Sequence, residues 1–153
     1  MLAVTLSGCR GGTDGSSLTG SSAPATQAPS SARTATTTPI IIEFAEQQIA
    51  GELGDSAASA SFIEQLPLTL SFRDYGGQEK IAALPTPLNL DGAQDGSDAA
   101  PLTIGYYAPD QSLVLYYKPV GYFPGIVPIG TFENANLVQS QTSDFTATIR
   151  EAG

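Results

Sequence analysis

Residues 104–133, IGYYAPDQSLVLYYKPVGYFPGIVPIGTFE, hold five of the six tyrosines of the 153-residue chain and decide the reading of its fold. Two apolar runs, Leu102 to Tyr107 and Leu113 to Tyr117, flank Ala108-Pro109-Asp110-Gln111. Pro109 presets φ for the second position of a type I turn and Asp110 suits the third, so the stretch reads as a β-hairpin. Leu113-Val114-Leu115-Tyr116-Tyr117 is apolar on both alternating faces, and a sheet with one wet side would leave half of it in water. That run is therefore expected to be an interior strand of a closed or sandwiched sheet. From Lys118 to Gly130 prolines and glycines disfavour helix, yet apolar residues stand between nearly all of them. A disordered linker does not carry that many apolar groups, so this segment is expected to be an ordered loop holding Tyr122 and Phe123.

Working outward, the chain divides in two. Residues 10–39, RGGTDGSSLTGSSAPATQAPSSARTATTTP, are almost wholly Gly, Ser, Thr, Ala and Pro, with Leu18 the only large aliphatic. Such a segment buries too little apolar surface to offset its ordering entropy and is read as a flexible tether reaching about 30 Å. Residues 40–153 carry the folded domain. Ile40 to Phe44 is strand-like by its β-branched content, and Gln47 to Leu53 pairs back as a second strand. Asp55 stands as N-cap to a helix over Ser56–Leu66, with Ala58, Phe62, Ile63 and Leu66 on one face and Pro67 as its end. Leu68 to Tyr75 alternates cleanly, and Gly76-Gly77 turns it into a short strand ending at Ala83. Residues 90–101 read as a loop rich in Gly and Asp, and strands follow at Ile129–Glu133 and Phe145–Ile149. The count is about eight strands and one short helix, a mainly β architecture suited to a closed barrel.

Composition narrows the chemistry. The formal net charge is −9, and from Ile40 onward only Arg73, Lys80, Lys118 and Arg150 stand against fourteen acids. This surface repels nucleic acid and anionic headgroups, so neither is expected as a partner. There is no histidine and a single cysteine, which rules out Ser-His-Asp and Cys-His mechanisms and zinc sites built on several His or Cys ligands. Asp91-Gly92-Ala93-Gln94-Asp95-Gly96-Ser97-Asp98 holds three carboxylates but lacks the spacing and closing Glu of a calcium loop, and it reads as solvated. No metal or cofactor is expected.

The lone cysteine ends Leu6-Ser7-Gly8-Cys9, after a short apolar start. This resembles a bacterial lipobox, in which small residues at the cut admit the lipoprotein signal peptidase and the thiol carries the lipid. Cys9 is thus the expected lipidation site, residues 1–9 a truncated signal, and the natural start codon is expected further upstream, because no Lys or Arg precedes Cys9. There is no run of about 18 apolar residues, hence no expected transmembrane helix. The expected location is the cell envelope, lipid-anchored on the outer side of the cytoplasmic membrane.

The order LPLTLSFRDYGGQEKIAALP, an acidic loop, LTIGYYAPDQSLVLYYK, then Val127-Pro128-Ile129-Gly130 resembles the bacterial cyclophilin-like domain family over about residues 40 to 150. The resemblance implies a compact cyclophilin-fold barrel, in some members behind a lipoprotein leader. It also implies a question of activity. True cyclophilins place an Arg shortly before a QGGD-type turn, beside a groove that includes Trp or His; this chain has neither Trp nor His, and no catalytic residue carries over. The candidate ligand-binding residues are Arg73, Tyr75, Tyr107, Tyr122 and Phe123, serving a peptide or small-molecule ligand. For Arg73 the alternative is a surface cation paired with Glu79 across the hairpin. The function expected is a non-catalytic binding module; the alternative is a peptidyl-prolyl cis-trans isomerase.

Overall fold

The computed structural model describes residues 36–153. At its centre stand the two strands of the tyrosine-rich hairpin, Thr103–Tyr107 and Ser112–Tyr116, joined by a 3-10 turn over Ala108–Asp110 that Gln111 closes in the left-handed region at φ 49°. All five residues of the second strand are buried, as a run apolar on both faces requires.

In chain order the strands are β1 (Thr38–Phe44), β2 (Gln47–Leu53), β3 (Leu68–Tyr75), β4 (Glu79–Ala83), β5 (Gly96–Ala99), β6 (Thr103–Tyr107), β7 (Ser112–Tyr116), β8 (Val120–Pro124), β9 (Ile126–Phe132) and β10 (Phe145–Glu151). Helix α1 spans Ala57–Ile63 and α2 spans Ala135–Gln139. Eight strands close an antiparallel barrel in the order β1-β10-β3-β4-β7-β6-β9-β2, and β5 pairs with β8 as a separate two-stranded flap. Closure leaves the barrel without free edges. Alternation then sends one side chain of each pair inward: Ile40, Ile42, Leu70, Phe72, Ile104, Tyr106, Leu113, Leu115, Ala147 and Ile149 form one core. Phe145 stacks on Phe72 at 5.4 Å within it.

The closed barrel expected from the sequence is present, and the chain adds to it. β1 begins at Thr38, two residues before the expected domain start. The cap of α1 is Ser56 rather than Asp55: its hydroxyl accepts from the Ser59 amide at 3.1 Å. The helix stops at Ile63, short of Leu66. Three elements were not anticipated. β5 lies within the Gly/Asp-rich loop, β8 lies where an irregular loop holding Tyr122 and Phe123 was expected, and α2 is a helix of five residues with Val138 buried. β5 and β8 are strands because they pair with each other. The expected signal, lipidation site and most of the tether, residues 1–35, lie outside the described residues.

Candidate functional site

The outer face of β3, β4, β7 and β6 is a small grid fixed by register. Arg73 stands opposite Ile81, Ile81 opposite Val114, and Val114 opposite Gly105, forming one row across four strands. One step along, Tyr75 faces Glu79 and Glu79 faces Tyr116. On the other side, Ser112 faces Tyr107. Neighbouring strands are about 4.8 Å apart, so the first row is roughly 15 Å long.

The flap covers one end of this grid. Val120 of β8 and Ile126 pack with Ala99, Val114 and Tyr116 into a second, smaller apolar cluster outside the barrel, which Ile81 and Tyr107 join. The flap is pinned where β8 turns into β9. There Gly125 sits at φ +91°, and a Cβ on it would lie 2.6 Å from Pro109 Cδ, so only glycine lets the two turns meet. Its carbonyl accepts from the Ala108 amide at 3.0 Å, and its amide donates to the Asp95 carbonyl at 2.8 Å. Between grid and flap lies a groove of about 340 Å³ lined by Arg73, Tyr75, Gln78, Glu79, Ile81, Tyr107, Asp110, Ser112, Val114, Tyr116, Val120, Phe123 and Ile126. That volume lies at the lower end of the range for small-ligand sites.

Arg73, Tyr75, Tyr107 and Phe123, four of the five residues singled out from the sequence, thus face one groove. Tyr107 and Phe123 join barrel to flap, with ring centroids 6.0 Å apart at 49°. Tyr122 does not line it: the ring is 66% exposed and its hydroxyl lies against Gly96 on the flap. The consecutive tyrosine pairs split as alternation requires, Tyr106 and Tyr117 entering the barrel core while Tyr107 and Tyr116 face the groove. Gly105 has a definite part. A Cβ there would meet Tyr116 Cε2 at 2.8 Å, so its absence lets the Tyr116 ring lie over the sheet and form the groove floor.

The charges follow no pairing. Arg73 and Glu79 sit one diagonal apart on neighbouring strands, roughly 7–8 Å between Cα atoms, within reach of a salt bridge. Yet the ion pairs among the described residues are Lys80–Asp74 and Arg150–Glu43, and the Arg73 guanidinium forms no hydrogen bond among them either. The alternative of an Arg73–Glu79 surface pair is therefore not realised. Glu79 is half-buried with no hydrogen-bond or ion-pair partner among the described residues; burial first, and the charge of Asp74 second, push its carboxyl above the usual carboxylate value. Burial likewise raises the Tyr116 phenol, aided by Glu79 and Tyr107, so it stays a neutral donor.

The reverse side of the same strands is the opposite case. Asp74 Oδ1 accepts from Lys80 Nζ at 2.8 Å and from the Tyr117 hydroxyl at 2.5 Å, while Lys80, 1% exposed, also donates to the Gln141 carbonyl. The hydrogen bonds from Lys80 and then Tyr117 hold the Asp74 carboxyl below its usual value. Lys80 Nζ stands 5.6 Å from the Tyr117 ring centroid. This triad closes the barrel end next to the groove, with Lys80 and Tyr117 buried and Asp74 reaching solvent. Glu79, Ser112 and Gly105 were not read from the sequence as groove residues; the signal that finds them is the β3–β4–β7–β6 register.

Among the described residues no cluster of three or more His, Cys, Asp or Glu side chains could hold a metal ion, and no helix is long and apolar enough to cross a membrane.

Comparison with known proteins agrees with this architecture. A family model described as the cyclophilin-like family matches residues 42–150. The solved structure of a hypothetical protein from Archaeoglobus fulgidus, determined in solution, is similar at 14% identity and a TM-score of 0.56, covering 79% of this chain and 99% of that one. At that identity the likeness concerns the fold. No curated protein matches the chain.

Proposed function

The chain belongs to the cyclophilin-like family, and from that premise we propose that it is a binding module which receives a peptide or small ligand in the groove between β3, β4, β7 and the flap. The observation that carries this is a guanidinium without a partner among the described residues at the edge of an apolar floor, where Arg73, Tyr75, Tyr107 and Phe123 converge. An exposed Arg in such a position donates to a ligand carbonyl or carboxylate. In the same reading the lipobox at Leu6 to Cys9 anchors the module outside the cytoplasmic membrane, with the Gly/Ser/Thr/Ala/Pro segment as its tether.

One observation favours a second reading. A donor beside an apolar floor is what prolyl isomerisation needs, since stabilising the twisted imide lowers a barrier of about 18–20 kcal/mol. The chain has no Trp and no His to complete a prolyl pocket of the kind true cyclophilins use, which puts binding ahead of catalysis.

Both are tested together by titrating the full chain with proline-containing and proline-free peptides while assaying prolyl isomerisation, in parallel with Arg73→Ala. Binding without turnover, weakened by the substitution, is the expected result. Turnover above the uncatalysed rate that falls with Arg73→Ala would make the protein an isomerase. The anchor has its own test: mass spectrometry of the membrane-extracted protein should find a lipidated Cys9, and Cys9→Ala should release it to the soluble fraction.

A further inference from the structure

The groove keeps two opposite charges close together and pairs neither. Arg73 and Glu79 are diagonal neighbours in the β3–β4 register with Ile81 and Tyr75 completing the square, and no ion pair joins them. A half-buried carboxylate without a donor carries a desolvation penalty, and the simplest relief, a bond to the guanidinium on the next strand, is not taken. The same two strands do take it one residue along: the buried Lys80 and the solvent-reaching Asp74 are joined at 2.8 Å on the other face. An unmade pair beside a made one leaves an acceptor and a donor facing one space.

We propose that the groove's ligand is a zwitterion of the free amino acid class, its carboxylate held by Arg73, its ammonium group by Glu79, and its apolar side chain resting on Ile81, Tyr107 and Phe123. This rests on the ligand-binding reading above and adds the class of ligand. A simple anion would meet Arg73 but be repelled by Glu79; a simple cation would meet the reverse. A prolyl imide offers its carbonyl to Arg73 but has no N–H for Glu79 to accept. A neutral secondary amide could address both groups, but through weaker bonds than the charge-assisted ones a zwitterion makes. The zwitterion alone satisfies both charges and leaves the site neutral.

The experiment titrates the full chain at pH 7 by calorimetry with four probes: L-phenylalanine, N-acetyl-L-phenylalanine, L-phenylalaninamide and N-acetyl-L-phenylalaninamide. These retain both charges, the carboxylate only, the ammonium only, and neither. L-Phenylalanine is expected to bind best, with loss of either charge costing about tenfold or more, the equivalent of about 1.4 kcal/mol. Glu79→Gln should then erase the preference for L-phenylalanine over its acetylated form, and Arg73→Met the preference over its amide, with circular dichroism reporting an unchanged fold. Equal or tighter binding of a blocked probe overturns the inference while the ligand-binding reading stands. Binding of none of the four also overturns it, and the peptide titration above then decides separately whether the groove binds anything.

Discussion

The two faces of β3, β4 and β7 differ by one residue in register and by everything in electrostatics. Inward, Asp74, Lys80 and Tyr117 form a connected set in which the ammonium has a carboxylate, a carbonyl and an aromatic face around it. Outward, Arg73 and Glu79 are diagonal neighbours rather than directly opposed, still within reach of each other, and have no bond between them. Burial explains the first: an ammonium 1% exposed is tolerated only when paired. Partial solvent access permits the second, because water supplies at the groove what protein must supply inside the barrel. Unpaired charge in a concave, partly apolar groove is therefore available to a ligand at little structural cost.

The sharpest way to break this contrast is to unpair the inner set. Asp74→Ala leaves Lys80 with the Gln141 carbonyl as its remaining hydrogen-bond partner, and should destabilise the domain by about 3 kcal/mol, the low end for broken buried pairs since Asp74 itself reaches solvent. Urea unfolding should show a lowered midpoint with an unchanged m-value. The double variant Asp74→Leu with Lys80→Met should recover much of that loss. A single-variant loss below about 1 kcal/mol would mean that the inner set is no more demanding than the outer one.

Next in size is an intrusion on the groove floor. Gly105→Ala places a methyl group where Tyr116 Cε2 stands 2.8 Å away, and Tyr116 is itself buried. The ring must tilt toward the flap, at about 1–2 kcal/mol by analogy with overpacked cores. Thermal melting should register that, and ligand binding should weaken along with it. An unchanged melting temperature would show that the floor adapts freely and is not a shaped surface.

How far this was readable in sequence follows from where the information resides. The β6–β7 hairpin announces itself through apolar runs around Ala108-Pro109-Asp110-Gln111, and β3–β4 through LTLSFRDY and Gly76-Gly77, whose φ values are +61° and +65°. β5, with the sequence GSDA, has no local preference for strand and becomes one only by pairing with β8. Tyr122 and Phe123 were therefore assigned to a loop, and the alternation that turns Tyr122 away from the groove was missed. Arg73, Tyr75 and Tyr107 were legible because residue type alone marks them. Glu79 was not: as one acid among fourteen in the folded part, it is distinguished only by register, by half-burial and by the bond it does not make.

pH separates the two faces in opposite senses. The Asp74 carboxyl is held below its usual value of about 3.9, so its contribution is complete above that pH and is lost as pH falls through the lowered value. Glu79 is held above its usual value, so the native state is favoured below that value and loses this advantage as pH rises through the raised one. Glu79→Gln should accordingly be slightly more stable than the parent at pH 7, by no more than about 0.5 kcal/mol, with the difference fading toward pH 4. Asp74→Asn should instead narrow its gap to the parent below pH 4. The neighbours that could modify the Glu79 titration are Arg73 and Tyr75 on β3, Tyr116 on β7 and Asp74 behind the sheet, so the same pH series on Arg73→Met is the control. Parallel profiles for the two acid variants would remove the contrast.

The smallest effect is the most telling. Arg73→Met deletes a charge that no group among the described residues pairs with, while its unbranched chain can still cover the sheet beside Ile81. Its stability should lie within about 0.5 kcal/mol of the parent by urea titration, against about 3 kcal/mol for Asp74→Ala one residue away. A guanidinium that can be removed without structural penalty, at the edge of an apolar groove, is held in place by something other than folding. If Arg73→Met instead costs as much as the inner substitution, then Arg73 has a structural partner in solution, and the outer face loses the open donor on which its reading as a binding site depends.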